Sequence, residues 1–232
     1  MANWFLGRAL AEEAETENAP WSFLGEGAAF WVTVAVLLVV GVAVYLITRK
    51  KGSKKSFWTA KTMAVGAMCM ALSSVLSLIK LWPMPMGGSV TPASMLPLLL
   101  FAYCYGVGPG MVLGALYGVM QFLLDGMAWA ALGAIPNLLD YPIAFGLLGL
   151  AGCFRGSKAK MTAGFVLGCF GRFMASFLSG FIFYGQYAPE GVNPVWYSLT
   201  YNGSYMLVEC IICIALGLLV GERLAKELKK VA

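Results

Sequence analysis

The sequence predicts an all-α integral membrane protein: a body of six spanning helices preceded by one further N-terminal transmembrane helix. Three observations carry this expectation. The 232 residues are 60% hydrophobic and 12% charged, whereas soluble domains run about 25% charged, so one soluble core cannot hide this much apolar surface. Seven apolar segments approach the roughly 20 residues that a helix needs to cross a bilayer. Most of the basic residues also fall in three short clusters, spaced so that seven spans place all three clusters on one side of the membrane.

The elements follow in chain order. Segment 1–27 is acidic, with Glu12, Glu13, Glu15, Glu17 and Glu26 against Arg8. A signal peptide would start basic and have a shorter apolar stretch, so 28–48 reads as a retained anchor helix. Residues 49–57, with Arg49, Lys50, Lys51, Lys54 and Lys55, read as a basic cytoplasmic linker. The body, 58–222, contains apolar segments at 60–80, 95–108, 110–125, 134–153, 162–185 and 199–221. The second and third of these are short and meet at Val107-Gly108-Pro109, so they read as a tight helical hairpin or a re-entrant pair. Arg155, Lys158 and Lys160 follow the fourth, and Arg223, Lys226, Lys229 and Lys230 open a basic tail, 223–232. Positive charge favours the cytoplasmic side, which puts the N-terminus outside and the C-terminus in the cytoplasm of a cell-membrane protein. Glycines repeat at spacing four (Gly110, Gly114 and Gly118; Gly164 and Gly168; Gly217 and Gly221). Such stripes let helix backbones approach closely in lipid.

Several chemistries lack their residues. There is no histidine, the commonest general base and metal ligand. No GxxxxGK[ST] loop, HExxH or GxSxG motif is present, so neither P-loop nucleotide binding nor these hydrolytic mechanisms are available. No enzyme activity, cofactor, metal or nucleic-acid partner is expected. The energy for any transport must come from a partner or an ion gradient. Cys210 and Cys213 form a CxxC, but inside an apolar run, where they read as small packing residues.

Ionisable groups inside a bilayer are costly and need an explanation. Asp140, Arg172 and Glu209 are three such groups. Arg172 and Glu209 fall at similar depth on sequence-adjacent helices, which fits a structural ion pair or a proton or ion relay. Asp140 sits about six residues below the outer end of its helix, between Pro136 and Pro142. It either caps a partly broken helix or faces an external cavity, where it would attract a cation. Ser176, Gly180 and Tyr184 share one helix face. Tyr197, Tyr201 and Asn202 follow at matching depth. Singly the tyrosines fit an interfacial belt. Together with Asp140 they suggest a pocket for a small, flat, cationic solute, since aromatic faces also attract cations.

The run Leu138-Leu139-Asp140-Tyr141-Pro142-Ile143-Ala144-Phe145, continuing to Gly149-Leu150-Ala151-Gly152, resembles the fourth-helix motif of the thiamine-specific substrate-binding (S) components of energy-coupling-factor vitamin transporters, the ThiT/YuaJ family. The stretch GFIFYGQYAPEGVNPVWYSLTYN, 180–202, resembles their fifth helix, external loop and sixth-helix start. Gly87-Gly88-Ser89-Val90 and Ser94-Met95-Leu96-Pro97 resemble the external loop and second-helix start of one branch. The likeness covers about 60–222.

It implies a six-helix S-component bundle, here with one extra N-terminal transmembrane helix. It implies a thiamine site formed by Asp140, Tyr141, Gly180, Tyr184, Tyr197 and Asn202, with Gly87, Gly88 and Ser89 in a covering loop. Import would need a transmembrane coupling protein and two cytoplasmic ATPases. Ala67 and Ala71, at spacing four, would dock on that coupling protein, although simple packing in the lipid bilayer also accounts for them. Two departures stand out. The family commonly has a histidine where this chain has Ser176, and some members place Trp and Glu near positions 88 and 92, here Gly88 and Pro92. The first motivates two rivals to thiamine, a thiamine precursor or a related pyrimidine. A self-sufficient proton-coupled thiamine transporter using Arg172 and Glu209 is a further alternative.

Overall fold

The computed structural model describes residues 59–84, 87–126, 133–189 and 191–231. The acidic segment 1–27, the anchor helix 28–48 and the basic linker up to residue 57 lie outside them.

Helix α1, Ala60–Leu78, opens on a reciprocal cap: the Thr62 amide donates to Thr59 Oγ1 (3.2 Å) and the Thr59 amide to Thr62 Oγ1 (2.9 Å). A short antiparallel ribbon follows, β1 (Trp82–Pro83) against β2 (Ser89–Val90), with Trp82 opposite Val90. Next come α2 (Leu96–Tyr105) and α3 (Val107–Gln121), the latter widened into a π-turn at Phe122–Gly126. Helix α4 covers Ala134–Cys153, α5 Lys158–Phe183 and α6 Pro194–Leu216. A further π-turn, Gly217–Gly221, carries α6 into the amphipathic α7, Glu222–Val231. Among the described residues, five helices are long and apolar enough to cross a membrane, and α2 is a shorter apolar one. The protein is an all-α, multi-pass membrane protein.

Helix α2 explains how the bundle closes. Ten residues rise only about 15 Å, half a bilayer core. Every residue from Leu96 to Cys104 is buried, and Leu99, Phe101 and Ala102 are fully enclosed. Protein rather than lipid surrounds α2, so the irregular backbone leading into it is tolerated at depth. The joint to α3 is Gly106, at φ +104°, a region that favours glycine. The outer faces are greasy instead: Leu219 is 75% exposed, and Met68, Leu78 and Leu207 are exposed too, as lipid contact requires.

The glycine stripe of α3 seats α4. A methyl on Gly118 would meet the Tyr141 carbonyl carbon at 2.6 Å and Pro142 Cα at 2.8 Å, and one on Gly110 would meet Gly149 Cα at 3.0 Å. The backbones of α3 and α4 therefore touch. Helix α4 is irregular where this contact lies: Leu139–Ile143 is a π-turn around Pro142. Proline lacks the amide and crowds the carbonyl four residues back, which opens the helix there. Helix α6 begins at Pro194, five residues before the apolar segment 199–221. Asn193 caps it through its Oδ1, which accepts from the Val195 amide (2.9 Å).

Candidate ligand-binding site

The widened turn of α4 aims Asp140 and Tyr141 into the bundle, and α3, α5, α6 and the hairpin complete a cavity of about 130 Å³ around them. Its wall contains Asp140, Tyr141, Ser176, Gly180, Tyr184, Tyr197 and Asn202, together with Gly87, Gly88 and Ser89. Residues that the sequence separates by more than 110 positions thus share one space.

Asp140 accepts a hydrogen bond from Ser179 Oγ at 2.7 Å. Ser176 and Tyr184 stand beside the same carboxylate. No basic side chain within salt-bridge distance pairs with Asp140 among the described residues; the two other carboxylates nearest the cavity do have such partners. Asp125 takes both its oxygens to Lys80 Nζ (2.8 and 2.9 Å). Glu209 Oε2 lies 3.9 Å from Arg172 Nη1. Among the described residues, Asp140 is thus the cavity carboxylate with no basic group within ion-pair distance, while Arg172 in the same wall acts on it from further away.

Asn202 is buried and already bonded. Its Nδ2 donates to the carbonyls of Ser198 (3.1 Å) and Ser176 (3.3 Å), and its Oδ1 accepts from Tyr205 Oη (3.1 Å). It ties α5 to α6 in the cavity wall. Gly180 permits that approach: a methyl there would meet Asn202 Nδ2 at 2.9 Å and collide with Ser198 Oγ. The space that its missing side chain leaves is filled by α6. Arg172 lies over the Phe145 ring, 4.1 Å from its centroid, a cation–π contact.

The hairpin lies across the cavity. The Gly88 amide donates to Tyr201 Oη (3.2 Å), and a methyl on Gly88 would come within 2.8 Å of the Tyr205 ring. Tyr197, Tyr201 and Tyr205 form a ladder with ring centroids 6.0 and 5.9 Å apart. Glu209 continues the ladder by one more step of four. Sequence reasoning overlooked Ser77, Gln121, Asp125, Ser198 and Tyr205 in the wall. The Y-x3-Y-x3-Y-x3-E period was the available signal for Tyr205, since residues four apart stack on one helix face.

Ala67 and Ala71 lie elsewhere, on the exposed face of α1. Ser73 and Ser77 of the same helix are buried instead.

A bundle of membrane-spanning helices around one polar, aromatic cavity, with a hairpin laid over it, defines a multi-pass membrane protein of the solute-transport class. The family described as Thiamine transporter protein (Thia_YuaJ) matches residues 63–228, and the chain belongs to that family. It is 38% identical over 144 residues to the thiamine transporter ThiT of Bacillus subtilis, covering 56% of this chain and 73% of that one. It is 31% identical over 170 residues to the thiamine transporter ThiT of Lacticaseibacillus paracasei, covering 66% and 81%. A solved structure of ThiT from Listeria monocytogenes superposes with a TM-score of 0.62 at 20% identity, covering 72% of this chain and 96% of that chain. That likeness shows a shared fold. The family is one of transporters, so the protein is not an enzyme.

Proposed function

We propose that the chain is a thiamine-binding S-component of an energy-coupling-factor uptake system in the cell membrane. The observation that carries this reading is Asp140, a buried carboxylate with no directly bonded cation among the described residues, in an aromatic-walled cavity of a thiamine transporter family member. Thiamine is a monocation with two flat aromatic rings joined by a methylene, and a negative charge in a partly desolvated, aromatic-walled site matches it. Asp140 interacts with the cationic ligand or accepts from its aminopyrimidine. Tyr184 stacks on a ring, and Tyr141, Tyr197 and Ser176 complete the wall. Asn202 holds that wall in place. The hairpin with Gly87, Gly88 and Ser89 faces outside and covers the ligand, with the N-terminus outside and the C-terminus in the cytoplasm. Import uses a transmembrane coupling protein, docked on Ala67 and Ala71, and two cytoplasmic ATPases. Arg172 and Glu209 serve as a structural pair.

The test is calorimetric titration of the purified, ligand-stripped protein with thiamine. One-to-one, tight binding is expected. A folded protein that takes up no thiamine but binds the isolated pyrimidine half would move the assignment to a precursor. Uptake by vesicles lacking any ATPase, driven by a proton gradient alone, would replace the coupled mechanism.

A further inference from the structure

Glu209 is only 1% exposed, and its placement does more than neutralise Arg172. The Arg172–Glu209 separation of 3.9 Å is too long for a hydrogen bond. The short contacts of Glu209 run elsewhere, to side chains of the segment that leads from the hairpin into α2. Its Oε1 is hydrogen-bonded by Thr91 Oγ1 and by Ser94 Oγ, the latter at 2.8 Å. Thr91 and Ser94 are themselves buried, and the Ser94 amide donates to Thr91 Oγ1 (3.3 Å). Ala93, between them, adopts φ +66°. A non-glycine residue in that region is costly and persists only where its surroundings hold it. The turn at 91–94 is therefore a strained link, held by its own bonds (Thr91 Oγ1 to Ser94 Oγ, 2.7 Å; the Ala93 amide to the Thr91 carbonyl, 2.8 Å) and by one carboxylate from α6.

That link is continuous with the hairpin. Val90 accepts from the Leu81 amide (2.9 Å), and Gly88 accepts from the Met84 amide (2.7 Å). The tip reaches Tyr201 and Tyr205, which stand on the same face of α6 as Glu209. One helix face thus grips the hairpin twice, at its tip through the tyrosines and at its inner foot through Glu209. The other foot is held by Lys80 and Asp125, both about one-third exposed, a contact that solvent weakens.

We propose that Glu209 is a positioning residue for the ligand site: it pins the turn at 91–94 and so holds the 81–90 hairpin down over the cavity. A buried carboxylate that accepts two hydroxyl hydrogen bonds makes a strong anchor. Its loss frees the strained turn, and the tip then lifts from Tyr201.

The test has a ligand-free arm and a ligand arm, and only the second rests on the thiamine reading. Hydrogen exchange is followed by mass spectrometry on detergent-solubilised wild type, Glu209→Gln, Thr91→Val and Arg172→Gln. Glu209→Gln and Thr91→Val are expected to speed exchange across 81–95 by about tenfold or more, as lost charge-assisted bonds imply. Arg172→Gln, which leaves the turn bonded, is expected to change this segment far less. Thiamine dissociation is then timed for the same proteins, and it should quicken in Glu209→Gln and Thr91→Val together. Unchanged exchange at 81–95 in folded Glu209→Gln overturns the proposal, as does equal loosening by Arg172→Gln. Faster exchange with an unchanged thiamine off-rate overturns the role in ligand retention. A wild type that binds no thiamine defeats the functional reading alone, and the exchange arm still decides the anchor.

Discussion

At the scale of single residues, the cavity is an exercise in charge balance. Lys80 neutralises Asp125, and Arg172 faces Glu209, which leaves Asp140 to meet a cation. Replacing Asp140 by Asn keeps its shape and removes its charge. Thiamine affinity should then fall by about 1–3 kcal/mol, the worth of a hydrogen bond to a charged group. Calorimetry on a variant with unchanged thermal unfolding measures this, and an unaltered affinity would remove Asp140 from the site. The sequence carried much of this. An aspartate within an apolar run is conspicuous because it is costly, and Ser176, Gly180 and Tyr184 share a visible period. The partners were less legible. Lys80 and Asp125 lie 45 residues apart, and neither sits deep enough in an apolar run to demand explanation. Asn202 showed its position but not the bond that ties it across the bundle, because Ser176 lies on a helix 26 residues upstream.

At the scale of elements, glycine and proline decide where side chains can be placed. Pro142 opens α4, and Gly118 lets the opened turn press directly on α3. Gly118→Ala must push these backbones apart beside Asp140 and Tyr141. Overpacking of this kind costs on the order of 1–3 kcal/mol, and it should lower both thermal stability and thiamine affinity. Gly146→Ala is the matched control on the facing helix: its new methyl meets nothing closer than 3.5 Å, and alanine suits a helix better than glycine by about 1 kcal/mol. It should leave stability equal or raised. If both variants melt alike, the α3–α4 contact does not set the site. The glycine stripe was legible as a packing signal, but a stripe alone does not say which helix it meets. The hairpin was not legible as strands at all, since two paired residues on each side leave no alternation to read. The start of α6 at Pro194 had a signal in Asn193-Pro194, a cap followed by the residue that best fits a first turn. Hydropathy alone passed over it because Pro194, Tyr197 and Ser198 dilute the apolar content of that turn.

At the scale of the whole molecule, the proposed ligand site and the proposed docking face lie on different faces of the same helix. α1 contributes Ser77 to the cavity wall and turns Ala67 and Ala71 outward. Ala71 is six residues from Ser77, about 9 Å along the axis, and Ala67 ten residues, about 15 Å. A bulky side chain at either position projects away from the bundle and reaches no cavity residue. The variants Ala67→Trp and Ala71→Trp should therefore bind thiamine within about twofold of wild type, since surface changes away from packed features cost little. In cells that supply the coupling protein and its ATPases, the same variants should fail to import labelled thiamine, because small residues are what let two helices close on each other in lipid. Intact binding with lost uptake would place the docking face on α1. Intact uptake would mean that the coupling protein engages another surface, and lost binding would mean that α1 transmits strain from its outer face to Ser77.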